Sequence, residues 1–279
     1  MPKLELISRQ PAGPARPFPL LFVHGAFCGA AFWDVHLLGH AAAHGYAAHA
    51  VSLRGHGASE GRSALPWASL SDYVDDLAQT VAQIEAACGQ TPALIGHSMG
   101  GVVVQRYMAR NPVPAVVLMA SAPPTGLAES SIGLALRSPF LFQQMLALQT
   151  FGSGMISLSA IRQALFTNQI SDAEIQRYLP FLQAESQRIA FDMMAPGLIP
   201  SATVAQPPIL VIGGRHDALV TPDQVETTAR AYGVTPVFFP DCAHNLVLEN
   251  GWRAVGDTAL DWLDTELAQR GEPLAAAAQ

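Results

Sequence analysis

Residues 93–101 read ALIGHSMGG, and they are the most informative stretch of this chain. Ser98 lies between glycines, after a short apolar run and before a run of helical character, Val102–Arg110. A serine on such a sharp strand-to-helix turn holds its hydroxyl above the edge of a sheet, and glycines let the backbone pass closely. The Met99 amide would then lie at a helix N-terminus, where it can stabilise an oxyanion. These flanks favour a nucleophilic Ser98 over a chance glycine–serine turn.

Other apolar runs share the character of the one before Ser98. They are short, aliphatic and followed by turns: Leu20–Val23, Ala47–Leu53, Val116–Met119, Ile209–Ile212 and Pro236–Phe239. Such runs are typical of strands buried on both faces of a parallel sheet. Helical patterns alternate with them, the clearest being Leu70–Cys88 with Ser71 as its predicted N-cap. The sequence therefore predicts an α/β fold with a mostly parallel central sheet flanked by helices.

The alternation stops between residues 123 and 200. This stretch has no convincing buried strand, is rich in Leu, Met, Phe and Gln, and is bounded by prolines. We predict a helical insertion, or cap, at 123–200 within a core made of residues 1–122 and 201–279. Its predicted helices lie near Pro139–Gln149, Ser157–Phe166, Ser171–Ala184 and Glu185–Met194. The low-complexity tail Leu274–Gln279 is predicted to be frayed.

A nucleophilic serine needs a base, and the base needs an acid that orients it. Asp217 follows the apolar run Ile209–Ile212, at the end of a strand where α/β active sites assemble. His244 follows a later apolar run, and the chain order Ser, Asp, His matches one known order of this triad. Asp241 and Asp223 are alternatives for the acid, but each is more simply a turn or cap residue. We predict Ser98, His244 and Asp217 as the catalytic residues.

The oxyanion needs a second donor beside the Met99 amide. The loop after the first predicted apolar run contains His24-Gly25-Ala26-Phe27, and the Ala26 amide is the expected partner, with Phe27 as the alternative. Since His244 already serves as the base, we interpret His24 as a loop brace.

Composition excludes several classes of protein. The chain has 279 residues, 50% hydrophobic and 13% charged, with a formal net charge of −7, so it can bury a large core and does not favour nucleic acid as a partner. No apolar stretch is long enough for a membrane span, and the N-terminus lacks the apolar core of a signal peptide. Three cysteines are too few for a disulfide framework, which makes a reducing, cytoplasmic location the expectation.

Four separated segments resemble the α/β-hydrolase superfamily. They are residues 24–27 with Phe32 and Trp33, residues 54–59, residues 96–101, and the pair Asp217 and His244. The resemblance covers nearly the whole chain and implies that the insertion is the superfamily's helical cap, with no cofactor and no metal. Where members commonly have an aspartate before Arg-Gly-His-Gly, this chain has Ser52 and Leu53, which changes a loop-bracing acid. Residues 241–249 with Trp252 are most similar to lysophospholipase-like carboxylesterases, whereas residues 24–26 resemble methylesterases and hydroxynitrile lyases.

The resemblance implies a serine hydrolase acting on an ester, thioester or lactone bond of a small to medium apolar substrate. Carbon–carbon bond hydrolysis or perhydrolysis on the same triad is the alternative, and a non-catalytic ligand receptor is a third hypothesis. Carbon–carbon hydrolysis of a vinylogous diketone would need a cation for the substrate's carboxylate, for which the candidates are Arg137, Arg162, Arg177 and Arg188. The partner is thus a small-molecule substrate, while the oligomeric state is not predicted.

Three further patterns have simpler interpretations. His36, His40 and His44 recur at helical spacing close to that of metal ligands, but no cysteine or carboxylate continues that spacing, so we interpret them as a partly exposed helix face. Cys28 and Cys242 are expected to pack rather than react. Several apolar insertion residues could line an acyl pocket or form a helix core: Met145, Phe151, Met155, Phe166, Phe181, Phe191 and Met193.

Overall fold

The computed structural model describes residues 1–152 and 156–271, and across them the strands form one seven-stranded sheet. The strands are β1 (Glu5–Arg9), β2 (Leu20–Val23), β3 (Ala48–Ser52), β4 (Ala93–His97), β5 (Val116–Met119), β6 (Ile209–Gly214) and β7 (Val237–Phe239). Their order across the sheet is β1-β3-β2-β4-β5-β6-β7. Only β1 runs antiparallel, pairing Glu5 with Ser52, and every other neighbouring pair is parallel.

The buried strands explain why the sheet forms a middle layer. β2 to β6 are buried along their whole length, and successive side chains enter the cores on opposite faces. Leu20 and Phe22 of β2 pack into one core, whereas Leu21 and Val23 pack into the other. Helices cover both faces, and this confirms the predicted α/β fold.

The helices outside the insertion are α1 (Ala31–Asp34), α2 (Leu37–Ala43), α3 (Leu70–Cys88), α4 (Met99–Met108), α10 (Pro222–Ala231) and α11 (Trp252–Gly271), with a 3₁₀ helix at Arg62–Trp67. The predicted N-cap of α3 was wrong by two residues. Ser69, not Ser71, accepts the Asp72 amide, and the Asp72 side chain accepts the Ser69 amide in return. Ser71 is the second residue of the helix instead.

Between β5 and β6 the described chain is helical. The helices are α5 (Ala128–Arg137), α6 (Pro139–Phe151), α7 (Leu158–Leu165), α8 (Asp172–Tyr178) and α9 (Gln187–Met194), with a 3₁₀ turn at Leu179–Phe181. The predicted helix 171–184 is too long, because Pro180 follows the end of α8 and the chain tightens there. The predicted helix 185–194 begins later, since Ser186 caps α9. The division of the chain into core and cap stays a prediction.

In the described residues, no helix combines the length and the apolar character that crossing a membrane requires. Met155 and the tail Leu274–Gln279 lie outside the described residues.

Candidate active site

Ser98 lies on a strained turn between β4 and α4. Its backbone has φ 53° and ψ −119°, a conformation that a non-glycine residue rarely adopts. The turn is tight because Gly96 packs directly on the start of α4, where an added Cβ would lie 2.7 Å from the Gly100 carbonyl oxygen. The serine side chain is left partly exposed at the carboxyl end of β4.

Ser98, His244 and Asp217 form a continuous hydrogen-bonded chain. The Ser98 Oγ lies 3.0 Å from His244 Nε2, and His244 Nδ1 lies 2.8 Å from Asp217 Oδ2. Because a carboxylate only accepts, Nδ1 carries the proton and Nε2 is free to accept the serine proton. The other Asp217 oxygen accepts the amides of Leu219 and Val220, both at 2.8 Å, which fixes the carboxylate.

The rejected alternatives for the acid lie elsewhere. Asp241 and Asp223 are both exposed, and the described contacts of His244 include neither of them. Asp217 and His244 are only 5% and 4% exposed, so their hydrogen bond is shielded from water. The structure therefore brings together the three residues that the sequence singled out.

Two residues that line the same cavity as Ser98 have backbone amides without an acceptor in the described part of the chain. Within residues 1–152 and 156–271, neither the Met99 nor the Ala26 amide has a hydrogen-bond acceptor in the protein. The Phe27 amide, in contrast, donates to Glu185 Oε2 at 3.2 Å, and Gln183 donates its amide to the Phe27 carbonyl at 2.8 Å. Both contacts come from the helical insertion, and they hold Phe27 at φ 63°.

Glu185 is a buried carboxylate that sequence reasoning missed. Its oxygens accept the Tyr73 hydroxyl at 2.6 Å and the Ser186 amide at 2.7 Å, and Oε2 lies 3.3 Å from His56 Nε2. Burial is the largest single influence and disfavours both charged forms, but their mutual attraction and the hydrogen bonds to each group together outweigh it, so the pKa of Glu185 is lowered and that of His56 is raised. The sequence carried no sign of this pair, because Glu185 appeared as the first residue of a helix.

Glu249 makes a second buried link, to the loop that carries His244. It accepts the Ala243 amide at 2.7 Å and the Thr167 hydroxyl at 2.5 Å. The next residue, Asn245, donates its amide to the Leu165 carbonyl at 2.9 Å. Burial raises the pKa of Glu249, and its hydrogen bonds oppose that rise. The insertion thus contacts the His244 loop as well as the Ala26–Phe27 loop.

His24 and His97 are buried and support the site without joining the triad. His24 donates from Nδ1 to the Gly25 carbonyl and accepts the Leu53 amide at Nε2, which braces the loop as predicted. His97 donates to the His244 carbonyl at 2.9 Å and stacks on Phe32. Burial lowers the pKa of both histidines to about 3, so they are neutral at physiological pH.

A cavity of about 710 Å³ lies between Ser98 and the insertion. Helices α5, α6, α7 and α9 supply most of its lining residues, which are mainly apolar with a few hydroxyl and amide groups. Among the described residues no lysine or arginine lines it, and its only carboxylate is the paired Glu185. The cavity therefore suits an uncharged, largely apolar ligand.

The apolar insertion residues that the sequence suggested as pocket lining lie in three places: the cavity, a smaller pocket and the protein surface. Met145, Phe191 and Met193 line the cavity. Phe166 and Phe181 lie around a smaller, neighbouring pocket, and Phe151 is exposed.

The two cysteines near the site are not activated. Burial, reinforced by Glu185, raises the pKa of Cys28 to about 12, and burial raises that of Cys242 to about 12 as well. Both thiols are thus poor nucleophiles, which agrees with their predicted packing role.

Comparisons with known proteins agree with this architecture. Residues 20–258 match the model of the alpha/beta hydrolase family. An esterase from Thermogutta terrifontis, with malate bound, is 20% identical with a TM-score of 0.69, and the match covers 95% of this chain and 94% of that one. An esterase from Exiguobacterium antarcticum is 15% identical with a TM-score of 0.73, covering 94% and 96%. An enol-lactonase from Burkholderia xenovorans LB400 is 22% identical with a TM-score of 0.70, covering 94% and 96%.

At these identities the likeness to solved structures is one of fold. A comparison with curated protein sequences found no match. The family match spans most of the chain, and it confirms the resemblance that residues 24–27, 54–59 and 96–101 indicated. The chain belongs to the alpha/beta hydrolase family and is a hydrolase.

Proposed function

We propose that this protein is a serine hydrolase that cleaves an ester-type bond of an uncharged, apolar substrate through an acyl-enzyme. The observation that carries the proposal is the hydrogen-bonded chain of Ser98, His244 and Asp217 at the wall of an apolar cavity. The bond class includes esters, thioesters and lactones, because all three present a carbonyl carbon with an oxygen or sulfur leaving group. In this proposal, residues 123–200 act as the cap over a core made of residues 1–122 and 201–279.

The first half of the reaction forms the acyl-enzyme. Ser98 Oγ attacks the substrate carbonyl carbon while His244 Nε2 takes the serine proton. Asp217 holds the imidazole in the required tautomer and stabilises its positive charge. The carbonyl oxygen becomes an oxyanion held by the Met99 and Ala26 amides. Collapse of this intermediate expels the alcohol or thiol, which leaves with the proton from His244.

Water completes the cycle by the same route. It attacks the acyl carbon, His244 takes its proton, and the Ser98 oxygen leaves and is reprotonated by His244. Ala26 is preferred to Phe27 as the second oxyanion donor because the Phe27 amide already donates to Glu185. The Met99 amide has the additional support of the α4 dipole, whose positive end lies at the oxyanion.

The cavity favours a neutral acyl group over a carboxylate-bearing one. A charged substrate group would have to leave water without a cationic partner, at a cost of several kcal/mol. The four arginines considered as carboxylate ligands do not line the cavity. Arg162 pairs with Asp172 and Arg188 pairs with Asp192, while Arg137 and Arg177 are exposed. This arrangement weighs against carbon–carbon hydrolysis of a vinylogous diketone, whose carboxylate needs a cation.

The test combines active-site labelling with turnover. The purified protein is treated with a fluorophosphonate probe, and hydrolysis of p-nitrophenyl esters from acetate to octanoate is followed. We expect labelling and turnover in the wild type, and a loss of labelling with a fall in kcat of about 10⁴ to 10⁶ in Ser98→Ala. The matched control is Ser131→Ala, another cavity-lining serine, which should keep both.

The outcomes separate the hypotheses. Full ester hydrolysis by Ser98→Ala would overturn the assignment of the nucleophile. Labelling of the wild type without ester turnover would instead support a carbon–carbon hydrolase or a receptor. A chain-length optimum beyond acetate would agree with the volume of the cavity, whereas strict preference for acetate would contradict an acyl site there.

A further inference from the structure

Two histidines at the C-terminal end of α2 lie against a carboxylate near the N-terminal end of α11. His40 lies in the last turn of α2, His44 caps its C-terminus, and Asp257 lies in the second turn of α11. Asp257 Oδ1 lies 2.6 Å from His40 Nε2 and 3.8 Å from His44 Nε2, and one ligand atom from each residue lies within 4.8 Å of the other two. None of the three residues lines the active-site cavity, so the cluster lies apart from the proposed site of hydrolysis.

The two histidines have the spacing of metal ligands, and His44 also has a ligand's orientation. Residues four apart on a helix share one face, the spacing used by histidine pairs that bind zinc. His44 donates its Nδ1 proton to the His40 carbonyl at 2.8 Å, so its Nε2 carries the free lone pair. Donation from the other ring nitrogen to a backbone carbonyl is the usual support of a metal-bound histidine. The negative end of the α2 dipole also favours a cation at this position.

We propose that His40, His44 and Asp257 bind a divalent first-row transition-metal ion such as Zn²⁺. Imidazole and carboxylate donors suit these ions, with bonds of about 2.0–2.2 Å and neighbouring ligand atoms roughly 3.4 Å apart. The 3.8 Å contact needs little adjustment. The 2.6 Å contact opens by a small rotation of the Asp257 side chain, which is 45% exposed and can also offer its other oxygen. Water from the exposed side fills the remaining coordination positions.

Residues of α11 fix the position of the His40 ring. Gly256 has no side chain where the His40 ring packs, since an added Cβ there would lie 3.1 Å from His40 Cδ2. Trp252 packs edge-on against the same ring. Two arginines lie around the cluster. Arg16 donates to the His44 carbonyl and pairs with Asp264 at 2.7 Å, and Arg253, one turn before Asp257, lies over the Trp252 ring. The ion would link α2 to α11 in place of the hydrogen bond between His40 and Asp257.

The test measures metal binding directly on the full-length, untagged chain. Isothermal titration with ZnCl₂ should give one saturable site in the wild type, and Co²⁺ should give a visible absorption band from imidazole ligation. We expect at least tenfold weaker Zn²⁺ binding in His44→Ala and in Asp257→Asn. The Asn variant keeps the shape of the side chain and a hydrogen bond to His40, so it separates ligand loss from misfolding.

A matched control uses the neighbouring histidine one turn earlier. His36 stacks on Trp252 and is outside the ligand set, so His36→Ala should bind Zn²⁺ within twofold of the wild type. Saturating Zn²⁺ should raise Tm in the wild type and in His36→Ala but not in Asp257→Asn. The proposal fails if the wild type shows no saturable site, or if Asp257→Asn and His44→Ala bind Zn²⁺ as well as the wild type does.

Discussion

Removing the buried carboxylate of Glu185 tests how firmly the helical insertion is attached to the core. Its side chain is fully buried, accepts hydrogen bonds from Tyr73, Ser186 and Phe27, and is paired with His56. Glu185→Ala leaves these donors and a buried imidazole without a partner, and breaking a buried pair in this way costs about 3–5 kcal/mol. We therefore expect the free energy of unfolding to fall by that amount.

Glu185→Gln should cost less, about 1–3 kcal/mol. The amide keeps one acceptor oxygen for Tyr73 and Ser186, and His56 can become neutral, since its Nδ1 proton is held by the Arg54 carbonyl and Nε2 can then accept. The Phe27 amide loses its carboxylate acceptor. Urea unfolding followed by tryptophan fluorescence measures both variants, with Glu129→Gln, an exposed residue of the same insertion, as the control. Wild-type stability in Glu185→Ala would refute the reasoning.

The same pair gives the stability a defined pH dependence. Burial opposes both charges, but attraction and hydrogen bonding together prevail, so the pKa of Glu185 lies below its usual 4.5 and the pKa of His56 above its usual 6.5. The contribution of His56 is complete below pH 6.5 and is lost as pH rises through its raised pKa. That of Glu185 is complete above pH 4.5 and is lost as pH falls through its lowered pKa. The stability difference between wild type and Glu185→Gln should thus be largest between pH 4.5 and 6.5, and a pH-independent difference would contradict an ion pair.

Three further predictions concern the site and the cavity. Asp217→Asn should lower kcat about 10⁴-fold in steady-state kinetics with little change in KM, because the amide disturbs the tautomer of His244. Gly96→Ala should not yield folded protein by circular dichroism, since the new Cβ would overlap the backbone of Gly100 and only a backbone shift could relieve it. Ala135→Trp, in the cavity wall on α5, should shorten the preferred acyl chain in the p-nitrophenyl ester series and leave acetate hydrolysis nearly unchanged.

The sequence predicted those parts of the site that depend on local patterns. The turn at Ser98 follows from an apolar strand, glycines and a helix that are all contiguous in the chain. Asp217 was identified because it follows a buried strand, where the sheet topology places loops at one edge. These inferences needed no knowledge of which distant residues touch.

The parts that sequence reasoning missed depend on contacts between distant residues. Glu185 and Glu249 are single carboxylates with no periodic signal, and only the folded chain shows that both are buried. Asp257 lies 217 residues from His40 in the sequence, so the histidine pattern looked incomplete. Helix α5 was not predicted because none of its residues is fully buried, and its apolar side chains face the cavity and the surface instead of a core.

The loop-bracing acid that this chain lacks before residues 54–57 is replaced by a distant carboxylate. Ser52 stands near that position, and its hydroxyl donates to Glu5 Oε2 at 2.6 Å, while Ala58 donates its amide to the same oxygen. The carboxylate thus comes from β1, directly opposite Ser52 in the antiparallel pair. Strand β1 itself was not predicted, because it is an edge strand that is only half-buried and lacks a continuous apolar run.

The two missed carboxylates indicate how the insertion and the reaction are coupled. Glu185 holds the loop next to the proposed oxyanion donor Ala26, and Glu249 holds the loop that carries His244. The same insertion supplies most of the cavity wall, so in the proposed mechanism it would both contact the acyl chain and set the position of two reacting groups. A shift of the insertion would therefore change the oxyanion and base geometry together, and an error of about 1 Å in such geometry can cost about 10²-fold in rate. It follows that loosening either carboxylate link should lower kcat, whereas altering a cavity-lining side chain alone should act mainly on KM.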